Sequence, residues 1–181
     1  MMLSQIFWFT GLSGAGKTTI ANLVKKHFRQ KKYRVLVLDG DHVRRELHQH
    51  LGFSPPEIKK NNQLIANLCQ KHRHETDMIL VPIISPYRKS RRLARSMLQP
   101  CYYEIHFDAD IETLHIRDTK GLYRMAQQGK IDNLIGVSKK NVYEPPTKPD
   151  LYLNTSSQTA AETLEEFINF IDSKMAMSDI R

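Results

Sequence analysis

The stretch FWFTGLSGAGKTTIA, residues 7–21, governs the reading of the whole chain. Its start, with Gln5 and Ile6 before it, is aromatic and β-branched and reads as a buried strand. Ile20, Leu23, Val24 and Phe28 then recur at helical spacing. Between strand and helix lie Gly11, Leu12, Ser13, Gly14, Ala15, Gly16, Lys17 and Thr18, which match GxxxxGK[ST], with Thr19 following. Small residues let successive backbone N–H groups wrap a phosphate chain. Lys17 brings positive charge to the β and γ phosphates, and the Thr18 hydroxyl is a candidate magnesium ligand. The expected ligands are a nucleoside triphosphate and Mg2+.

Working outward, RVLVLD (34–39), DMILVPIIS (77–85), CYYEIHFD (101–108) and LYLNT (151–155) read as four further strands. Helical segments are expected around residues 57–74 and 88–98. A last helix starts at a capping box formed by Thr159 and Glu162, with Leu164, Phe167, Ile168 and Ile171 as its apolar stripe. Strands alternating with helices predict a three-layer α/β P-loop NTPase fold: a mainly parallel sheet flanked by helices, with ligands beyond the carboxyl ends of the strands. Residues 1–175 are expected to form one domain. Within it, residues 118–148, rich in glycine, proline and lysine, are expected to form a mobile lid. The end of the chain, 176–181, is expected to fray.

At 181 residues, 40% apolar and 25% charged, the chain suits a single core. The apolar run MILVPII (78–84) is too short to cross a bilayer, so a cytoplasmic protein without membrane contact is expected. Cys69 and Cys101 have no CxxC spacing and read as buried thiols. His72 and His74, two apart, face different sides of a helix and do not read as a metal pair. The net charge of +8 asks for an anionic partner. The basic residues are scattered among segments without a nucleic-acid-binding pattern, which favours a small phosphorylated substrate over nucleic acid. No NKxD guanine reader is present. A short P-loop domain with a basic lid fits a small-molecule kinase, whose lid keeps water from the phosphoryl group.

Three further motifs, LDGDHVRRELHQHLGFS (38–54), PIISPYRKSRRLAR (82–95) and IRDTKGLYRMAQQGKI (116–131), follow GLSGAGKTT in order. Together they resemble adenylylsulfate kinase, which uses MgATP to phosphorylate the ribose 3′-hydroxyl of adenosine 5′-phosphosulfate. The likeness runs from about Phe7 to Thr155. Asp39 and Asp41 follow the second strand, where one can hold magnesium and the other deprotonate a sugar hydroxyl; turn or helix-cap roles are the plain alternative. The resemblance implies Asp41 as base and Asp39, with Thr18, as metal ligand. It places Phe53 on the acceptor base, against the alternative of a core phenylalanine. Arg44, one turn past Asp41, can clamp an acceptor phosphate or face solvent. Ile84, Ser85 and Arg88 are expected at the acceptor nucleotide, with Arg91 and Arg95 either assisting or lying on a helix surface. The family is sometimes described with a phosphoserine at Ser85, yet no activating base is identifiable for it. Arg117 is expected near ATP, and Lys120 and Gly121 at the acceptor. Family members are often dimers, so a homodimer is a further expectation.

Two departures stand out. The family usually continues GFSxxDRxEN, whereas this chain reads GFSPPEIKKNN: Asn61 is in register, but Ile58 replaces the arginine. In the lid, Leu134 stands where the family has a phenylalanine over the acceptor base, and the loop is longer by about two residues. A changed acceptor accounts for both. The alternatives are therefore a kinase of the same fold for another nucleotide, such as cytidine diphosphoramidate, and a P-loop protein that binds nucleotide or nucleic acid without transfer.

Overall fold

The computed structural model describes residues 3–179. Five parallel strands, β1 (Gln5–Thr10), β2 (Val35–Val37), β3 (Met78–Val81), β4 (Tyr102–Asp108) and β5 (Leu151–Asn154), form one sheet in the order β2-β3-β1-β4-β5. The helices are α1 (Lys17–Gln30), α2 (Gly40–Glu46), α3 (Pro55–His72), α4 (Arg88–Leu98), α5 (Ile111–Arg117), α6 (Leu122–Gln127) and α7 (Ala160–Asp179). Among the described residues no helix is long and apolar enough to cross a membrane.

β1 is apolar at successive positions because both its faces are covered. Phe7 and Phe9 face the layer containing Val24 and Phe28 of α1 and Phe167 and Ile171 of α7. Ile6 and Trp8 face the layer containing Ile65 and Cys69 of α3 and Ala94 and Leu98 of α4. Phe167 meets Phe7, Phe9 and Phe107 edge-on at centroid distances of 5.7, 5.4 and 6.3 Å. Truncating such a ring typically costs about 3–5 kcal/mol.

Two strands are shorter than the sequence suggests. β3 stops at Val81 because Pro82 has no N–H to continue the ladder. The following residues cross over the end of β1 instead, where Gly11 N–H and the Thr10 hydroxyl both donate to Ile84 O, at 3.2 and 2.9 Å. This crossing brings Ser85 beside the phosphate loop. Beyond β2, Leu38 N–H still bonds Leu80 O at 2.9 Å, and Asp39 then opens α2.

α3 begins earlier than expected. Pro55 and Pro56 fit its first turn, and the Glu57 carboxylate accepts from the N–H groups of Gly52 and Ser54 at 2.9 and 3.0 Å. The α7 capping box is present: Thr159 N–H donates to Glu162 Oε2 at 2.7 Å, and Glu162 N–H to Thr159 Oγ1 at 3.2 Å. α7 then continues through Asp179, past the point where fraying was expected. Met175 packs on the core, and neither glycine nor proline interrupts the helix after Lys174. Ile180 and Arg181, the rest of the expected frayed end, lie outside the described residues.

Candidate functional site

The loop after β1 passes so close to β4 that a Cβ on Gly11 would lie 2.3 Å from Phe107 O, so only glycine fits. Ala15 is buried in the core, while Ser13, Gly14, Gly16, Thr18 and Thr19 line a cleft. Lys17, also on its wall, donates to Gly11 O and Leu12 O at 2.8 and 2.7 Å. Burial, helped by the charge of Lys120 and opposed by Asp41 and Asp39, pushes the Lys17 ammonium down to about 7. Thr18 Oγ1 donates to Asp39 Oδ2 at 2.8 Å. The other carboxylate oxygen of Asp39 caps α2, accepting from Asp41 N–H at 3.0 Å. Asp39 is thus a helix cap and a neighbour of the Thr18 hydroxyl at once.

Farther along the cleft, Arg117 hydrogen-bonds the hydroxyl and carbonyl of Thr155, fixing α5 to the end of β5. The segment expected to form the lid is joined to the phosphate loop by Tyr123, whose hydroxyl donates to Ser13 O at 2.8 Å. Gly121 has φ 66° where it opens α6, but it does not line the cleft. Lys120 does, and it reaches across to form an ion pair with Asp41.

At the opposite end, Phe53 is 49% exposed, which removes the core alternative. The Arg44 guanidinium lies 4.4 Å from its ring centroid and donates through Nη1 to Leu51 O and Gly52 O at 2.9 and 2.7 Å. Arg44 therefore braces the loop that presents Phe53 rather than standing free in solvent. Asn61 is buried, its Oδ1 2.8 Å from His48 Nδ1. Ile84 and Leu134 line the same wall as Ile58, which packs with Tyr87 and Ile135 in a small apolar cluster. One continuous cleft of about 760 Å³ runs from Lys17 past Asp41 to Phe53 and Leu134.

Ser85 sits in the left-handed region, with φ 45°. Its hydroxyl accepts from Trp8 Nε1 at 3.0 Å and donates to Asn62 Oδ1 at 2.7 Å. Its carbonyl accepts from Arg91 Nη1 at 2.6 Å. Arg91 is 1% exposed, and its other nitrogens reach Glu104 Oε1 at 2.9 Å and Glu144 O at 2.6 Å. A backbone conformation that disfavours a side chain is thus held on three sides.

Residues 3–154 match the adenylylsulphate kinase family. An adenylyl-sulfate kinase of Halothermothrix orenii is 42% identical over 171 residues, covering 92% of this chain and 89% of that protein. One from Bacillus pumilus is 34% identical over 172 residues, covering 94% and 86%. Among solved structures, the Mycobacterium tuberculosis APS kinase CysC in complex with AMPPNP and APS aligns with a TM-score of 0.89 at 32% identity, covering 95% of this chain and 99% of that one. The chain belongs to the adenylylsulphate kinase family.

Some expected site residues stand elsewhere. Arg88 is not on the cleft wall: its backbone N–H meets Glu144 Oε2 at 2.8 Å and its Nε meets Pro145 O at 2.8 Å, so it holds the returning arm of the lid. The Leu12 side chain packs beneath the lid, where a Cβ on Gly136 would lie 2.3 Å from Leu12 Cδ2. Ser85, a possible nucleophile by resemblance, has an indole and an amide as hydroxyl partners and no base to take its proton. Arg91 is a buried cross-link rather than a surface arginine, and Arg95 pairs with Asp150 away from the cleft. The sequence reading missed Asn62, which holds Ser85, and Thr155, Gln158 and Thr163 at the far wall. For Thr155 and Gln158 a signal was available, since Thr155 ends the predicted strand 151–155 and Gln158 lies three residues beyond its carboxyl end.

Proposed function

We propose that this protein transfers the γ-phosphoryl group of ATP to the ribose 3′-hydroxyl of adenosine 5′-phosphosulfate, yielding ADP and 3′-phosphoadenosine 5′-phosphosulfate. The observation that carries this reading is the single cleft joining the phosphate loop to the Phe53 and Leu134 walls, with Asp41 between them. A donor seated at one end and an acceptor at the other would meet beside Asp41. Family membership and the relatives named above support the same acceptor.

The chemistry asked of the chain is positioning and charge stabilisation. Backbone N–H groups of the phosphate loop receive the donor phosphates, and Lys17 exchanges its two carbonyl partners for phosphate oxygens. The Thr18 hydroxyl and Asp39 carboxylate are adjacent oxygen donors, a pairing that suits a hard divalent cation. They would hold Mg2+, which when bound neutralises phosphate charge. Asp41 accepts the 3′-hydroxyl proton as that oxygen bonds to the γ-phosphorus and the bond to the ADP oxygen breaks. Lys120 is released from Asp41 to stabilise charge on the transferring group. Phe53 and Leu134 flank the acceptor base, and Arg44, Asn61, Ile84 and Ser85 shape the rest of its pocket. The lid excludes water from the reaction.

Ile58 favours a second reading, because an apolar side chain occupies a wall where an anionic 5′ substituent would otherwise meet a guanidinium. A coupled ADP-release assay with adenosine 5′-phosphosulfate, cytidine diphosphoramidate and other nucleotides separates the two. We expect turnover with adenosine 5′-phosphosulfate. Turnover with a pyrimidine acceptor alone would overturn that choice, and ADP release independent of any acceptor would overturn kinase function.

A further inference from the structure

The lid carries one fully buried amide that neither the motifs nor the transfer chemistry uses. Asn141 is 1% exposed. Its Nδ2 donates to Phe53 O at 2.9 Å and to Asn133 O at 2.8 Å, and its Oδ1 accepts from the Tyr87 hydroxyl at 3.2 Å. Its own backbone is engaged as well: Gly136 N–H donates to Asn141 O at 2.8 Å, and Asn141 N–H to Ser138 O at 3.2 Å. The amide orientation follows from its partners. Two are carbonyls, which need a donor, and the third is a hydroxyl, which can donate; the flipped amide would set oxygen against oxygen.

These partners belong to three separate segments. Phe53 lies on the loop before α3, Asn133 directly precedes Leu134 of the lid, and Tyr87 precedes α4 and packs with Ile58 and Ile135. Phe53, Leu134 and Ile58 all line the end of the cleft away from the phosphate loop. The Asn133 bond also closes the neck of the loop between residues 133 and 141, so the loop's shape and its attachment to Phe53 depend on the same NH2 group.

We infer that Asn141 is the positioning residue that sets the spacing between Phe53 and Leu134, and thereby the fit of the acceptor base. It touches neither substrate in this scheme and acts through the backbone of Phe53 and of Asn133, the residue before Leu134. The inference rests on the reading of this end of the cleft as the acceptor site.

Removing the amide leaves Phe53 O, Asn133 O and the Tyr87 hydroxyl without their partner. Lost buried hydrogen bonds of this kind correspond to about tenfold or more in an equilibrium constant. The test is steady-state kinetics on Asn141→Ala, with adenosine 5′-phosphosulfate and ATP varied in turn. The acceptor KM should rise about tenfold or more, while the ATP KM stays within about twofold. In a Phe53→Ala background, Asn141→Ala should add little to the acceptor KM, because the residue it positions is gone. Tyr87→Phe, which removes one of the three bonds and keeps the ring, should give a smaller rise in the acceptor KM and serves if Asn141→Ala does not fold. Equal rises in both KM values, or full additivity with Phe53→Ala, would overturn the inference. Hydrogen exchange read without any acceptor keeps it separate from the choice of substrate. Asn141→Ala, or Tyr87→Phe to a lesser degree, should speed exchange at residues 51–54 and 133–138 together and leave residues 11–19 unchanged; acceleration confined to the lid would count against the coupling. Should the wild type fail to use adenosine 5′-phosphosulfate, the substrate reading fails while this exchange result still decides the role of Asn141.

Discussion

The ammonium of Lys120, on the lid, is ion-paired with the carboxylate of Asp41, in the first turn of α2. Both side chains are more than half exposed, so the pair is worth at most about 1 kcal/mol and opens readily when an acceptor hydroxyl competes for the carboxylate. Asp41→Asn keeps the shape and removes the proton acceptor. Turnover should fall by about 10²–10⁴-fold, the usual contribution of a positioned base, with unfolding midpoints changed little. Kinetics alongside thermal unfolding measure both, and wild-type turnover in this variant would remove Asp41 from the role of base.

Lys17 predicts a proton balance. With its ammonium pushed down to about 7 by burial, it is largely neutral at pH 8 and largely protonated at pH 6. Phosphate oxygens favour the charged form and raise the pKa again. Nucleotide binding should therefore take up a proton through this group at pH 8 and much less at pH 6. Calorimetry in buffers of different ionisation enthalpy reads the uptake directly, and Lys17→Ala should abolish it together with transfer.

Ser85→Ala should retain turnover close to wild type, since direct transfer needs no hydroxyl there. Stability should drop by about 1–3 kcal/mol, because the Trp8 indole N–H and Asn62 Oδ1 lose a buried partner. Urea unfolding and steady-state kinetics on the one variant check the two statements. Loss of turnover with stability unchanged would reinstate a covalent role.

Arg91→Ala leaves Glu104, itself 8% exposed, without its closest cation. A destabilisation of about 3–5 kcal/mol is expected, the range for breaking a buried pair from one side. The adjacent Arg92 is exposed, and Arg92→Ala should stay within about 0.5 kcal/mol. Urea denaturation of the two variants side by side provides the comparison.

What the sequence disclosed, and what it withheld, follows from the range of the interactions involved. β1, the phosphate loop and α1 are coded by neighbours along the chain: a doubly covered strand, a glycine-rich turn in which Gly14 and Gly16 take positive φ, and an apolar stripe. The α7 start is equally local, since Thr159 and Glu162 need only each other. Arg91 and Arg95 look alike in RKSRRLAR, yet one is buried against β4 and the other pairs with Asp150. That difference is created by chain segments more than ten residues away. The anchoring of Arg88 is hidden for the same reason, because its partners Glu144 and Pro145 lie more than fifty residues along the chain. Asn62 and Asn141 carry no motif, and their bonds to Ser85 and to Phe53 and Tyr87 reach groups on other segments.

The bond between Trp8 and Ser85 has a practical side. The chain contains a single tryptophan, its indole fully buried and its N–H directed 3.0 Å to a hydroxyl on the cleft wall. Any rearrangement of the turn at Ser85 alters the hydrogen bonding of the one indole in the protein. Native fluorescence is therefore an unlabelled reporter seated beneath the cleft floor, able to time events there in a stopped-flow instrument without a dye or an engineered residue.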